Sequence, residues 1–404
     1  MATIVVLGTF DTKGIEHAYL AERIRDLGHS PLLVDGGGFG APHIGADIGR
    51  EAVAAEGGVD LAELRSRGDR GDMVTAMARG AAAVVRRLHT EGKLAGIVSM
   101  GGSGGTAIGT MAMRSLPLGI PKVMVSTLAS GNVAPYLDIS DIVMIPAVSD
   151  VTGINAFTRA QFTRAAAVVS ALVDANNRLA GTAAGQGARP LVVASMFGNT
   201  TPCVDRARTL LEAAGRDVVV FHATGTGGRT MEAMIESAPV AGVLDVTTTE
   251  WADELVGGIL GAGPTRLDAA ARRGIPAVIA PGCLDMVNFG APETVPERFA
   301  GRLLHRHNAQ VTLMRTTPEE CRELGRILAE KVNRSVGPAT VLLPLGGISM
   351  ISVAGQPFHD PAADDALFSA IRKWLSPGIP LVELDCAIND PAFAEASVEP
   401  LLAG

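Results

Sequence analysis

The stretch Thr3–Gly14, TIVVLGTFDTKG, places an apolar, β-branched run directly before a polar loop with threonine, aspartate and lysine side chains. A second stretch, Ala95–Thr106, AGIVSMGGSGGT, repeats this order with four glycines in the loop. Continuous apolar runs are typical of strands in parallel sheets that helices cover on both faces. Each stretch therefore predicts a strand, a glycine-rich loop and the first turn of a helix.

The alternation of strands and helices continues outward from these stretches and restarts after the segment Ala180–Ala188, AGTAAGQGA. Alternating βα units imply parallel sheets with right-handed crossovers. We therefore predict an α/β fold with two Rossmann-like parallel-sheet subdomains in tandem. The N-terminal subdomain spans 1–179, a linker spans 180–189, and the C-terminal subdomain spans 190–404. The predicted strands are Thr3–Leu7, Pro31–Val34, Ala95–Met100, Lys122–Ser126, Ile142–Ile145, Leu191–Ser195, Val218–Phe221, Val243–Asp245, Ala277–Ala280 and Val341–Leu343.

Composition and charge exclude several classes of protein. The net charge is −8 and the lysines and arginines are scattered, so no basic stripe for nucleic acid is visible. The uncharged stretch Leu94–Met113 contains a cluster of four glycines within positions 101–105, here called the glycine knot, that would break a membrane helix. The N-terminus has no basic region of a signal peptide. We expect a soluble, cytoplasmic protein that binds neither nucleic acid nor membrane. The cysteines are far apart, which fits a reducing compartment: Cys203, Cys283, Cys321 and Cys386.

Glycine-rich loops at the carboxyl ends of the predicted strands are candidate anion sites. Ligands of open parallel sheets bind at that edge, and a helix N-terminus there offers free N–H groups and a favourable dipole. Lys13 would add a positive charge, and Asp11 could hold a magnesium ion or a ribose hydroxyl. Asp150 is a second possible magnesium ligand, although an ordinary helix cap is the simpler interpretation. The predicted ligand-binding residues are Thr9, Asp11, Lys13, Gly36, Gly37, Gly101, Gly102, Ser103, Gly104, Gly105, Thr106, Ser130 and Gly131.

Other interpretations of these loops stay open. The loop after the first strand could be an ordinary turn with a solvated lysine, and the glycine knot could serve close packing of helix on sheet. The knot also matches GxSxG with Ser103 as a nucleophile. No histidine lies between Ser103 and His222, so a serine hydrolase on Ser103 is disfavoured.

The C-terminal half offers a different hypothesis, an enzyme of hydrolase or lyase type. Its glycine- and threonine-rich loops also follow predicted strands, and four residues at or near strand ends are candidate catalytic groups. A cysteine buried at a strand end is more often a packing residue. The candidates are His222, Glu250, Cys283 and Asp285.

Many of these motifs, in this order, resemble one known family. In the first half they are GTFDTKG, DGGG, GGSGGT, VSTLASGN and SDVTGIN; in the second half SMFGNTTPCV, FHATGTGGRTMEAMI, DVTTTEWADELVGG, PGCLDMVNFG and PLGGISMI. The chain resembles the Tm-one-like ATP-binding family, which includes the N-terminal domain of the plant protein that confers resistance to tomato mosaic virus.

The resemblance implies ATP in the first of two Rossmann-like subdomains, and a dimer. We therefore expect a nucleotide-binding protein that takes ATP, with Mg²⁺ as a possible companion, and that forms a homodimer or higher homo-oligomer. An enzyme centred on the C-terminal half is the alternative, and an ATP-stabilised interaction module ranks third.

Overall fold

The computed structural model describes residues 1–183 and 189–403 and contains two compact units that divide between 187 and 188. Both units are built from parallel sheets with helices on both faces, which confirms the predicted α/β class with two Rossmann-like halves. Positions 180–183 of the predicted linker continue a long helix. Its positions 184–188 lie outside the described residues.

The first unit has a five-stranded parallel sheet in the order β2-β1-β3-β4-β5. All the strands predicted for this half are present. The strands are β1 (Thr3–Gly8), β2 (Ser30–Asp35), β3 (Gly96–Gly101), β4 (Lys122–Ser126) and β5 (Val143–Pro146). The helices are α1 (Phe10–Asp26), α2 (Arg50–Glu56), α3 (Leu61–Arg67), α4 (Arg70–Thr90), α5 (Ser103–Arg114), α6 (Ala134–Leu137) and α7 (Ala156–Ala183).

The sequence of β1 explains why both faces of this sheet are covered. Successive side chains of a strand point to opposite faces. Ile4 and Val6 pack in the cluster that includes residues of α1 and α7, whereas Val5 and Leu7 pack in the cluster of α2, α4 and α5. All four are fully buried. The unbroken apolar run therefore supplies two cores at once.

The second unit has a six-stranded parallel sheet in the order β14-β13-β9-β8-β6-β7. The same unit also contains a small antiparallel sheet in the order β10-β12-β11, whose strands lie between β9 and β13 in the sequence. This sheet was not predicted from the sequence. The strands are β6 (Leu191–Met196), β7 (Asp217–His222), β8 (Val240–Thr247), β9 (Ala277–Gly282), β10 (Met286–Phe289), β11 (Leu304–Asn308), β12 (Val311–Arg315), β13 (Ala339–Pro344) and β14 (Leu381–Leu384). The helices are α8 (Thr201–Ala213), α9 (Thr226–Ser237), α10 (Glu250–Val256), α11 (Asp268–Arg273), α12 (Pro318–Val332), α13 (Pro361–Trp374) and α14 (Pro391–Leu402).

Candidate functional site

The topology of the first sheet brings two loops together at one edge. After β1 the chain adds β2 on one side, and then crosses over to add β3, β4 and β5 on the other. In such sheets the crevice at the point where the strand order reverses is where ligands bind, outside the carboxyl ends of the strands. The loops that follow β1 and β3 meet at this point, and both were singled out by their sequences.

A cavity of about 340 Å³ lies at this edge of the first unit. It is a crevice between the β1–α1 loop, the loop after β2, the start of α5 and one face of α4. Gly37, Thr106, Ser130 and Gly131 do not line it. The predicted ligand-binding residues that do line it are Thr9, Asp11, Lys13, Gly36, Gly101, Gly102, Ser103, Gly104 and Gly105.

The start of α5 gives this cavity its donors. The helix is capped by Gly102, which has no side chain to bond the first amides. The amide of Thr106 is already inside the helix and donates to Gly102 O at 2.8 Å. The N–H groups of Ser103, Gly104 and Gly105 therefore have no intrahelical acceptor, and the helix dipole favours an anion in front of them.

Two glycines of the loop differ in what an added methyl group would meet. A Cβ on Gly101 would lie 2.7 Å from the Cα of Gly105, so the loop needs glycine there to fold back on itself. A Cβ on Gly104 would find Val74 Cγ2 at 3.5 Å, an ordinary contact. Glycine at 104 is therefore not required by the fold.

The predicted residues outside the cavity have structural partners or lie on the surface. Thr106 is buried, and its hydroxyl is 2.7 Å from Ser126 Oγ, which ties α5 to β4. The amide of Gly37 donates to Asp35 Oδ1 at 2.8 Å. Ser130 and Gly131 are exposed in the loop between β4 and α6.

Lys13 enters the cavity because α1 is irregular at this residue. Its backbone angles, φ −130° and ψ 26°, are not helical. The buried ring of His17 contacts Lys13 O through Nδ1 at 2.7 Å, and because a carbonyl only accepts, Nδ1 carries the proton. Burial lowers the pKa of His17, so the ring is neutral at physiological pH. The Lys13 ammonium donates to Thr152 Oγ1 and is 3.5 Å from Asp150 Oδ1.

The carboxylates of the cavity are already engaged. Asp11 Oδ2 accepts from the amides of Phe39 at 2.8 Å and Gly40 at 3.1 Å, so it orders the loop after β2. Asp150 Oδ2 accepts from Thr152 Oγ1 at 2.9 Å, and that hydrogen bond is the main cause of the lowered pKa of Asp150. Within 1–183 and 189–403, no group of three or more histidine, cysteine, aspartate or glutamate side chains is placed to hold a metal ion.

Sequence reasoning missed one wall of the cavity. Arg70, Met73, Val74 and Met77 share one face of α4 at positions i, i+3, i+4 and i+7, and all four line the cavity with Ile108 of α5. Arg70 is exposed and is the first residue of its helix, where the dipole disfavours a cation. An arginine at a helix start was the one available signal in the sequence.

The corresponding glycine-rich loop of the second unit holds an anion that the protein itself supplies. Glu250 is buried, and its Oε1 accepts from the amides of Gly225 at 2.7 Å and Gly228 at 3.0 Å, at the start of α9. Its Oε2 accepts from Arg266 Nε at 2.7 Å. Arg266 also pairs with Asp245 through Nη2 at 2.7 Å. Glu250 is therefore a structural group in this geometry.

The other three catalytic candidates have different surroundings from those of Glu250. Cys283 is fully buried at φ 60°, and burial raises the pKa of its thiol well above the ordinary value. Asp285 is also buried and accepts from Ser349 Oγ at 2.7 Å, and burial raises its pKa to about 6. His222 is exposed at the end of the edge strand β7. The hypothesis of an enzyme in this half remains a prediction.

Comparison with known proteins places these two units in one family. The N-terminal domain of the uncharacterised protein family UPF0261 matches residues 2–178, and the C-terminal domain of the same family matches residues 189–403. The chain belongs to the UPF0261 family. None of the helices that the structure describes combines the length and apolar character needed to cross a bilayer.

Relatives occur in bacteria and in a plant. A UPF0261 protein of Clostridium tetani is 46% identical over 99% of this chain and 98% of its own length. The tomato (Solanum lycopersicum) ToMV susceptible protein tm-1(GCR26) is 34% identical over 99% of this chain, which spans 55% of the tomato protein. The tomato ToMV resistance protein Tm-1(GCR237) is 39% identical over 82% of the chain. These matches confirm the resemblance seen in the sequence motifs.

Similarity to solved structures is low. Acinetobacter baumannii MurG is 12% identical with a TM-score of 0.22, covering 94% of this chain and 96% of MurG. MnaA of S. aureus, in a co-structure with UDP, is 10% identical with a TM-score of 0.20, covering 95% and 100% of the two chains. At these scores the similarity carries no argument about function.

Proposed function

We propose that the N-terminal unit of this UPF0261 protein binds ATP in the cavity at the carboxyl edge of its sheet. The observation that carries the proposal is the uncapped start of α5, where the amides of Ser103, Gly104 and Gly105 line a cavity that Lys13 also enters. Oriented amides at a helix N-terminus together with a lysine are a common combination for binding phosphate groups.

The shape of the cavity supports a nucleotide rather than a bare anion. The lining combines the donors and Lys13 with the apolar side chains Met73, Val74, Met77 and Ile108. A phosphate chain suits the donors, and the flat face of a base suits the apolar side chains. The volume of about 340 Å³ is within the ordinary range for small-molecule sites.

Charge supports a magnesium complex of the nucleotide. Asp11 and Asp150 line the same cavity as the proposed phosphate position. Two carboxylates would repel a free triphosphate, whereas a divalent cation on the phosphates lowers the negative charge of the ligand and itself attracts a carboxylate. In this proposal Mg²⁺ arrives with ATP, because the described residues do not supply a complete set of protein ligands.

Calorimetry on a lysine variant tests the proposal. Lys13→Ala removes the lysine cation proposed to contact the phosphates, and we expect the affinity for Mg·ATP to fall by more than tenfold, the scale of one lost charge-assisted hydrogen bond. Lys93→Ala is the matched control, because Lys93 is exposed, pairs with Glu91 and does not line the cavity. Equal affinity of Lys13→Ala and wild type would reject the assignment.

The oligomeric and cellular parts of the sequence-based expectation remain parts of this proposal. A homodimer or higher homo-oligomer, and a cytoplasmic location, are implied by the family resemblance and by the scattered cysteines. Sedimentation velocity with and without Mg·ATP measures the first directly.

A further inference from the structure

We propose that this cavity selects the triphosphate and not the base, so that nucleoside triphosphates as a class are its ligands. The inference rests on the proposed function, because it concerns the same cavity. One wall of the cavity is formed by side chains of α4 and α5, namely Met73, Val74, Met77 and Ile108. Val74 is half-buried and the other three are buried. None of the four has an oxygen or nitrogen atom that could form a hydrogen bond with the edge of a base.

Arg70 is the hydrogen-bonding side chain that α4 adds to this wall, on the same helix face as Met73 and Met77. A guanidinium donates through five N–H groups and accepts none. Guanine offers two acceptors, O6 and N7, to such a fork, whereas the amino group of adenine requires an acceptor. Met73, Val74, Met77 and Ile108 carry no oxygen or nitrogen acceptor, and Ser103, the lining side chain of α5 that does, stands at the proposed phosphate position.

Several acceptors of the loop after β2 and of the cavity already have a donor. Gly38 O accepts from Arg65 Nε at 2.6 Å, and Gly40 O accepts from Arg50 Nη1. The two carboxylates of the cavity are engaged as well, Asp11 with the amides of the β2 loop and Asp150 with Thr152. Neither purine therefore meets a buried polar group placed to recognise its edge, because Arg70 is exposed and its contact with guanine would compete with water.

This arrangement sets the expected selectivity. Sites that discriminate strongly between similar ligands do so with buried polar groups that the wrong ligand leaves unpaired. An apolar wall discriminates mainly by size, and the two purines differ little in size. We expect the dissociation constants of Mg·ATP and Mg·GTP for the wild-type chain to lie within fivefold of each other.

The test is calorimetric titration of the full chain with Mg·ATP, Mg·GTP and magnesium tripolyphosphate. A GTP-to-ATP ratio of dissociation constants between one-fifth and five supports the inference, and a ratio outside that range in either direction overturns it. Binding of neither nucleotide would instead contradict the proposed function. Tripolyphosphate binding that is lost in Lys13→Ala would show that the phosphate side of the site works independently of any base.

A designed variant tests the assignment of Arg70 to the base. Arg70→Gln replaces a side chain that only donates with an amide that also accepts, and glutamine can pair with the amino group and N7 of adenine. We expect this variant to bind ATP at least threefold better relative to GTP than Arg70→Ala does. An unchanged ratio between the two variants would place Arg70 away from the base and overturn that assignment.

Discussion

Replacing Gly104 by alanine should separate folding from binding, because the two effects have opposite signs. Gly104 is the second residue of α5, and its φ is not in the left-handed region. An added methyl group would meet Val74 Cγ2 at 3.5 Å, which is normal van der Waals contact. Alanine in place of such a glycine reduces the entropy of the unfolded chain, so we expect stabilisation by about 0.4–1 kcal/mol.

Binding should change in the other direction. The amides of Ser103, Gly104 and Gly105 are the proposed phosphate donors, and a methyl group on Gly104 would hold a phosphate oxygen away from them. Loss of two charge-assisted hydrogen bonds, at about 1.5 kcal/mol each, corresponds to about 3 kcal/mol. That is roughly a hundredfold loss of affinity for Mg·ATP.

Denaturant unfolding and calorimetry on the same sample measure both effects. Gly101→Ala is the informative contrast, because its methyl group would lie 2.7 Å from Gly105 Cα, and it should lower the free energy of unfolding. A folded Gly104→Ala protein that binds Mg·ATP within threefold of wild type would show that the amides at the start of α5 do not bind the phosphates.

Two further predictions concern the second unit. Glu250→Gln weakens the buried pairing with Arg266, and we expect a loss of about 3–5 kcal/mol in the free energy of unfolding with Mg·ATP affinity unchanged. Glu236→Gln, at an exposed ion pair, should cost less than about 1 kcal/mol, and equal costs for the two variants in urea unfolding would contradict the structural role. Asp285 has a pKa of about 6 when folded, against about 3.9 in an unfolded chain, so the folded state binds its proton more tightly. Its contribution to stability is complete only well below pH 4 and is lost as pH rises through 6. The free energy of unfolding of wild type relative to Asp285→Asn should fall by about 2 kcal/mol between pH 4 and 7. A constant difference over that range would exclude this assignment.

Much of the first unit could be predicted from local sequence. The run Thr3–Leu7 is apolar at every position after the threonine, because its two faces pack in separate clusters. The loop Gly101–Gly105 could be recognised in the sequence because its backbone folds back closely on itself, which requires glycine at position 101. In both cases the signal lies in a few consecutive residues, although the helices that bury the strand are distant in the sequence.

The features that were missed depend on contacts distant in sequence. Arg70 reaches the cavity because α4 packs beside α5, more than thirty positions further along the chain. Glu250 occupies the start of α9 from 25 positions away, so the loop after Gly225 resembled an open anion site. The short strand Met286–Phe289 lacks a clear alternation, and its pairing with β12 is set by the surrounding fold.

The contrast between the two glycine-rich loops explains why the site is assigned to the first unit. The amides at the start of α5 have no side-chain cap, whereas those of Gly225 and Gly228 already bond a carboxylate. The same local pattern therefore describes an open position in one half and a filled one in the other. The sequence shows the loop in each case, and the structure shows which loop has a donor to offer.

Amide chemical shifts during titration test directly whether main-chain donors at the start of α5 hold the phosphates. In a ¹⁵N-labelled full chain titrated with Mg·ATP, we expect saturable downfield shifts of the Gly104 and Gly105 amides. The amides of Gly225 and Gly228 should not move, because Glu250 already accepts from them. Saturable binding that leaves the Gly104 and Gly105 amides unshifted would show that these main-chain donors do not hold the phosphates.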